Sequence, residues 1–153
     1  MSEPTKQAGL TALQAALAAE HAAVYGYGVV GARIREGRRT EARAAYDAHR
    51  ARRDTLVREV RDQGGKPVPA AAGYALPFAV TDSESAVRLA AELEDRVAGV
   101  YSDLVRATTG EGRAAAAQAL REAAVRAVRW RGGSVAFPGL AERAATASAP
   151  PTA

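Results

Sequence analysis

Two glutamates occupy positions where a helix should bury apolar residues, and they raise the first chemical question of this chain. Leu13, Glu20 and Tyr27 are separated by seven residues each, as are Val87, Glu94 and Tyr101, and the second series follows the first at an offset of 74 positions. A seven-residue step returns to the same helix face. Each series therefore presents an apolar residue, a carboxylate and a phenol along one inner seam. A carboxylate in such a seam is costly unless a cation or a metal holds it, so the glutamates point to ion pairs, to metal ligation or to a surface kept for a partner. His49, Arg53 and Arg131 fall on the inner faces of two other helical segments and complete the set of polar core candidates. His49 reads as a hydrogen-bonded core histidine with Tyr27 as a neighbour, while His21 lies off the stripe.

Hydrophobic spacing supplies four helices to position these groups. The first spans about Leu10 to Arg35, with Leu10, Leu13, Leu17, Glu20, Val24, Tyr27, Gly31 and Ile34 at alternating steps of three and four. Gly37 ends it, and Thr40 is a suitable cap for the second, which carries Ala42, Ala45, His49, Arg53, Leu56 and Val60 before Gly64 and Gly65. The third opens at Asp82 or Ser83 and the fourth runs from Arg113 to about Arg131, with Ala116, Ala117, Leu120, Ala124, Ala127 and Arg131 facing inward. Between helices two and three lies a proline- and glycine-rich stretch, residues 64–83, without helical period. Loops of that size are uncommon in compact domains unless they serve a purpose. If helices two and three run parallel, this one must carry the chain back along the bundle. Its Tyr74, Leu76, Phe78 and Val80 alternate as if one side rests on the helices. The expected organisation is a flexible segment over residues 1–9, a four-helix domain over 10–143 and a disordered tail over 144–153.

Composition narrows the function classes. A chain of 153 residues suits one domain. With no cysteine, disulfides, thiolate metal sites and cysteine nucleophiles are excluded. No apolar run reaches the roughly 20 residues needed to span a bilayer and the start of the chain has no secretory pattern, so a cytoplasmic protein without membrane contact is expected. The charge of +4 rests on arginines, with Lys6 and Lys66 the two lysines. Such heavy use of Ala, Arg and Gly accompanies a GC-rich genome, so the basic balance is weak support for nucleic-acid binding. No nucleophile constellation or zinc signature is present, and "GYGVVG" falls inside a helix rather than after a strand, where a phosphate loop would be.

The stretches "AAEHAAVYGYG", "AHRARRDTL", "GKPVPAAAGYALPF" and "LAAELEDRVAGVY", spread over Leu10 to Gly139, resemble the ferritin-like superfamily and, within it, the ferritin-like domain family of unknown function. The resemblance implies an all-α, ferritin-like four-helix bundle: two helical hairpins joined by a long crossover. Metal-bearing members place one glutamate on each of helices one and three and a Glu-x-x-His pair on each of helices two and four. Glu20 and Glu94 match the lone glutamates. The other half departs from the pattern, because Arg53 and Leu56 stand at the level of Glu20, Ala127 and Trp130 at the level of Glu94, and Tyr46 stands three before His49.

These departures lead to the expectation that arginine has replaced metal, with Arg53 pairing with Glu20 and Arg131 reaching Glu94. The expected core cluster is Glu20, Tyr27, His49, Arg53, Glu94, Tyr101 and Arg131. No cofactor is expected; a retained site would hold iron or manganese through Glu20, Glu94 and His49. The leading reading is a non-catalytic binding or interaction module whose small-molecule or protein partner the sequence does not name. It is expected to be a homodimer through the helix-one surface at Ala22, Tyr25 and Gly26. The rival readings are a di-metal oxidoreductase or iron-handling protein and a DNA-associated ferritin-like protein.

Overall fold

The computed structural model describes residues 2–134, 138 and 140. Helix α1 spans Glu3–Arg33, α2 Arg39–Asp62, α3 Ser83–Ala107 and α4 Gly110–Arg131, with a 3-10 turn at Glu36–Arg38 between the first two. The architecture is an all-α four-helix bundle. Helix α1 begins seven residues before Leu10, because Glu3 and a proline in the opening turn suit a helix start; the segment expected to be flexible is helical from Glu3. The expected tail, residues 144–153, lies outside the described residues.

Caps explain where the helices begin. Asp82 caps α3 through a reciprocal arrangement: the Ser85 amide donates to Asp82 Oδ1 at 2.8 Å and the Asp82 amide to Ser85 Oγ at 3.1 Å. Thr40 does not cap α2. The 3-10 turn delivers the chain directly into Arg39, so Thr40 is already inside the helix. Helix α4 starts at Gly110, whose φ of +55° suits glycine.

The inner face of α4 is turned from the expected one. Ala116, Ala119, Ala123, Ala127 and Trp130 are buried, whereas Ala117 and Arg131 are exposed. An alanine-rich helix offers several near-equivalent stripes, and the large Trp130 decides between them by taking the buried place.

Tyr27 lies against Glu94 and Tyr101 against Glu20, so α1 and α3 run antiparallel. The crossover leaves α2 beside Gln14, whose side-chain amide donates to Lys66 O at 2.6 Å and accepts from the Val68 amide at 2.9 Å. It arrives beside Arg35, whose amide donates to Ser83 Oγ at 3.0 Å. The chain thus travels along α1 before α3 begins, and α2 and α3 run parallel. His21 fastens the same strap, with Nε2 3.0 Å from Val68 O. Tyr74, Leu76, Phe78 and Val80 are half-buried while Ala75, Pro77 and Ala79 are exposed, the alternation read from the sequence.

Two apolar clusters fill the bundle. Leu13, Leu17, Leu56, Val60 and Leu104 anchor one; Val30, Ile34, Leu89, Leu93 and Trp130 anchor the other. A polar layer lies at their junction. The close approach of α1 to α3 depends on Gly26, where an added Cβ would come within 2.6 Å of Leu93 Cδ1. Gly26 therefore faces α3 and cannot belong to the outer surface expected for self-association. No helix among the described residues is long and apolar enough to cross a membrane.

Candidate functional site: a buried carboxylate–imidazole layer

Glu20 and Glu94 are 1% and 0% exposed, and His49 between them is 2% exposed. Their burial follows from the seven-residue seam: Leu13, Leu17 and Tyr27 hold that face of α1 inward, and Val97 and Tyr101 do the same for α3. His49 enters from α2 on the face shared with Ala45 and Leu56.

His49 Nδ1 lies 2.6 Å from Glu20 Oε2 and Nε2 lies 3.0 Å from Glu94 Oε1. Carboxylate oxygens only accept, so both ring nitrogens donate and the ring is an imidazolium. Burial pulls its pKa down, but hydrogen bonds and charge from Glu20 and Glu94 more than offset this and push it up to about 9. Tyr27 stacks on the ring at a centroid distance of 5.3 Å.

The phenols cross between the halves. Tyr27 Oη donates to Glu94 Oε1 at 2.5 Å, and Tyr101 Oη donates to Glu20 Oε1 at 2.6 Å. Burial and the adjacent carboxylate hold both phenols far above the ordinary tyrosine range, so they remain donors. Trp130 Nε1 in turn donates to Tyr27 Oη at 2.9 Å. Both oxygens of Glu20 are engaged, whereas Glu94 Oε2 is buried without a hydrogen-bond partner and has Arg126 Nη1 at 3.5 Å. With both carboxylates ionised, one imidazolium leaves the layer one charge negative, and the Arg126 guanidinium balances it.

The expected cations are elsewhere. Arg53 pairs with its neighbour Asp54 and Arg131 pairs with Asp95, both pairs being partly exposed. Arg53 sits four residues after His49, close enough to its face to be read as inward, yet its head turns outward beside α2. Arg131 follows the rotation of α4. The arginines that border the layer are Arg52 and Arg126, which reach Glu122 Oε2 at 3.0 and 3.7 Å. The 74-residue offset is the signal that finds them: extended to α2 and α4, it pairs Arg52 with Arg126, but Arg53 with Ala127.

A cavity of about 20 Å³ lies beside the layer, lined by Glu20, His49, Arg52, Tyr101, Glu122 and Arg126. It has room for about one water molecule. Among the described residues, no group of three or more His, Asp or Glu side chains is arranged to hold a metal ion. Both His49 ring nitrogens donate to carboxylates here, so a metal would first have to displace a proton from one of them. The inferred iron or manganese set of Glu20, Glu94 and His49 therefore does not fit a metal centre. What the arrangement can do is hold one proton between two buried carboxylates, with Glu94 Oε2 left facing Arg126.

No curated protein matches the chain. Among solved structures it is similar to a conserved hypothetical protein, rv2844, from Mycobacterium tuberculosis, at 37% identity and a TM-score of 0.80, covering 86% of this chain and 98% of that one. Residues 12–142 match the family described as Domain of unknown function (DUF4439). From the third turn of α1 to the segment beyond α4, this chain belongs to that family.

Proposed function

We propose that this protein is a non-catalytic binding module of the cytoplasm, built on a ferritin-like bundle in which a histidine proton has taken the place of metal. The observation that carries this reading is the engagement of both His49 ring nitrogens by Glu20 and Glu94. A catalytic layer needs an open position for substrate; here the adjoining space holds about one water molecule. The di-metal reading lacks its ligands. The DNA-associated reading is the weaker one, because within the basic run Arg38 pairs with Glu41 and lies over the Trp130 ring, and Arg39 pairs with Glu36.

Metal analysis of the protein purified from cells grown with added iron and manganese tests the reading. The expected content is far below one ion per chain, with a melting temperature unchanged by chelator. Near-stoichiometric metal that disappears in Glu20→Ala would overturn it.

A further inference from the structure

Three sides of the bundle are closed by helices packed on each other, α1 on α2, α1 on α3 and α3 on α4. The fourth side, between α2 and α4, is looser. The space of about 20 Å³ beside the buried layer lies there, lined by Ala48, His49 and Arg52 of α2 and by Ala119, Glu122 and Arg126 of α4. Toward the start of α4 follows a second cavity of about 60 Å³, which shares Arg52 and Tyr101 with the first.

The side chains explain the gap. Helix α4 offers Ala115, Ala116 and Ala119 to these cavities, and alanine is too short to fill them. Long polar chains span the distance instead. Arg52 Nη2 donates to Glu122 Oε2 at 3.0 Å, Gln118 Nε2 donates to Glu122 Oε1 at 3.0 Å, and Arg126 Nη2 stands 3.7 Å from Glu122 Oε2. Arg52, Glu122 and Arg126 are partly exposed, whereas Glu20, His49 and Tyr101 on the inner walls are buried. The small space therefore separates the layer from solvent, with one ion-paired bridge across its outer side.

Its size and lining suit water. The volume is that of about one molecule, and Glu20, Tyr101, Glu122 and the two arginines supply acceptors and donors around it. The other end of the layer is sealed, because buried Trp130 donates to Tyr27 Oη and the Tyr27 ring stacks on His49.

We propose that this space is a water site and that the α2–α4 side is the inlet through which the His49 ring protons exchange with solvent, closed by the Arg52–Glu122–Arg126 bridge. In each exchange one ring proton passes to water and one returns, so the charge of the layer is unchanged. Opening requires a partly exposed ion pair to part, a small cost beside the separation of packed helices. The inlet concerns access to the layer and is independent of what the module binds.

Solvent exchange of the imidazole protons, read by 15N NMR on the full chain labelled at histidine, tests it. His21, which faces the crossover, is the internal reference. Exchange at His49 should be insensitive to low urea concentrations, because a local opening exposes little surface, while the slowest amides of α1 and α3 accelerate with urea. Glu122→Ala should speed His49 exchange by about fivefold, as the loss of one such pair would give, and leave His21 unchanged. Ala48→Leu enlarges a half-buried wall residue of the space and should slow it. Trp130→Phe loosens the sealed end and should leave the His49 rate as it is. A urea dependence equal to that of the slowest amides would show exchange through global unfolding and overturn the proposal. So would an unchanged rate in Glu122→Ala or Ala48→Leu, or an acceleration by Trp130→Phe as large as that by Glu122→Ala.

Discussion

The two hairpins share a frame and differ in what they put inside it. At the 74-residue offset, Glu20 matches Glu94, Tyr27 matches Tyr101 and Arg52 matches Arg126, but His49 of α2 matches Ala123 of α4 and Leu56 matches Trp130. The frame repeats the acids, phenols and outer arginines. The imidazolium occurs once, because at the centre it reaches both carboxylates and together with Arg126 already balances their charge. The second hairpin contributes Trp130 instead, a neutral donor that fixes Tyr27.

The largest expected effect comes from removing the cation that both carboxylates share. His49→Leu leaves two carboxylates facing each other in a dry core and should destabilise the protein by about 3 to 5 kcal/mol in urea unfolding at neutral pH. Adding Glu20→Gln and Glu94→Gln to it should recover most of that loss. If His49→Leu costs no more than an ordinary core truncation, the asymmetry between the hairpins has no electrostatic meaning.

Titrating the same residue gives the next effect. The His49 pKa is raised from 6.5 to about 9 in the folded state, so its contribution is full below pH 6.5 and is lost as pH rises to about 9. At about 1.4 kcal/mol per pH unit the loss amounts to about 3 kcal/mol. Unfolding free energies measured across that window should decline in the parent protein, with the slope from this group absent in His49→Gln. A parent profile that is flat over the window would show a neutral ring.

How much of this is legible in the sequence differs by residue. Glu20, Glu94, Tyr27 and Tyr101 are legible because a seven-residue step fixes a face without knowledge of the partner helices. The crossover is legible because a long proline-rich segment joining two hairpins has few possible paths. Arg53 is easily mistaken for Arg52 because successive helical residues differ by about 100° around the axis, and level-counting from a turn is no finer than a residue or two. Arg131 is misplaced because the alanines of α4 do not fix its rotation. His49 is evident as a core residue but not as the cation, since its role depends on both carboxylates lying within reach in three dimensions.

The arginines sharpen the comparison further. Arg126→Met should cost about 1 to 3 kcal/mol, because it takes away the one charge facing the unpartnered Glu94 Oε2. Its mate Arg52→Met loses a half-exposed pair with Glu122 and should cost less than about 1 kcal/mol. Equal losses measured in parallel denaturations would mean that the mates are interchangeable and Glu94 gains nothing from Arg126. The smallest effect belongs to Trp130→Phe, which removes the hydrogen bond to Tyr27 while retaining most of the ring; about 1 kcal/mol is expected. Leu56→Phe at the matching place has no such bond to lose, so any cost there reports packing alone.

The exchange of phenols between the hairpins has a consequence for how the molecule comes apart. Glu20 is held by His49 of its own hairpin and by Tyr101 of the other, whereas both hydrogen bonds to Glu94 come from Tyr27 and His49 of the first hairpin. The α3–α4 hairpin cannot close its own core without leaving Glu94 short of its hydrogen-bond donors, and α1–α2 alone leaves Glu20 without Tyr101, so a half-folded species is penalised most when the second hairpin forms first. Despite a long linker that would let the hairpins separate, the bundle is wired as one cooperative unit, and fragments divided at Gly64 and Gly65 should gain structure only when mixed.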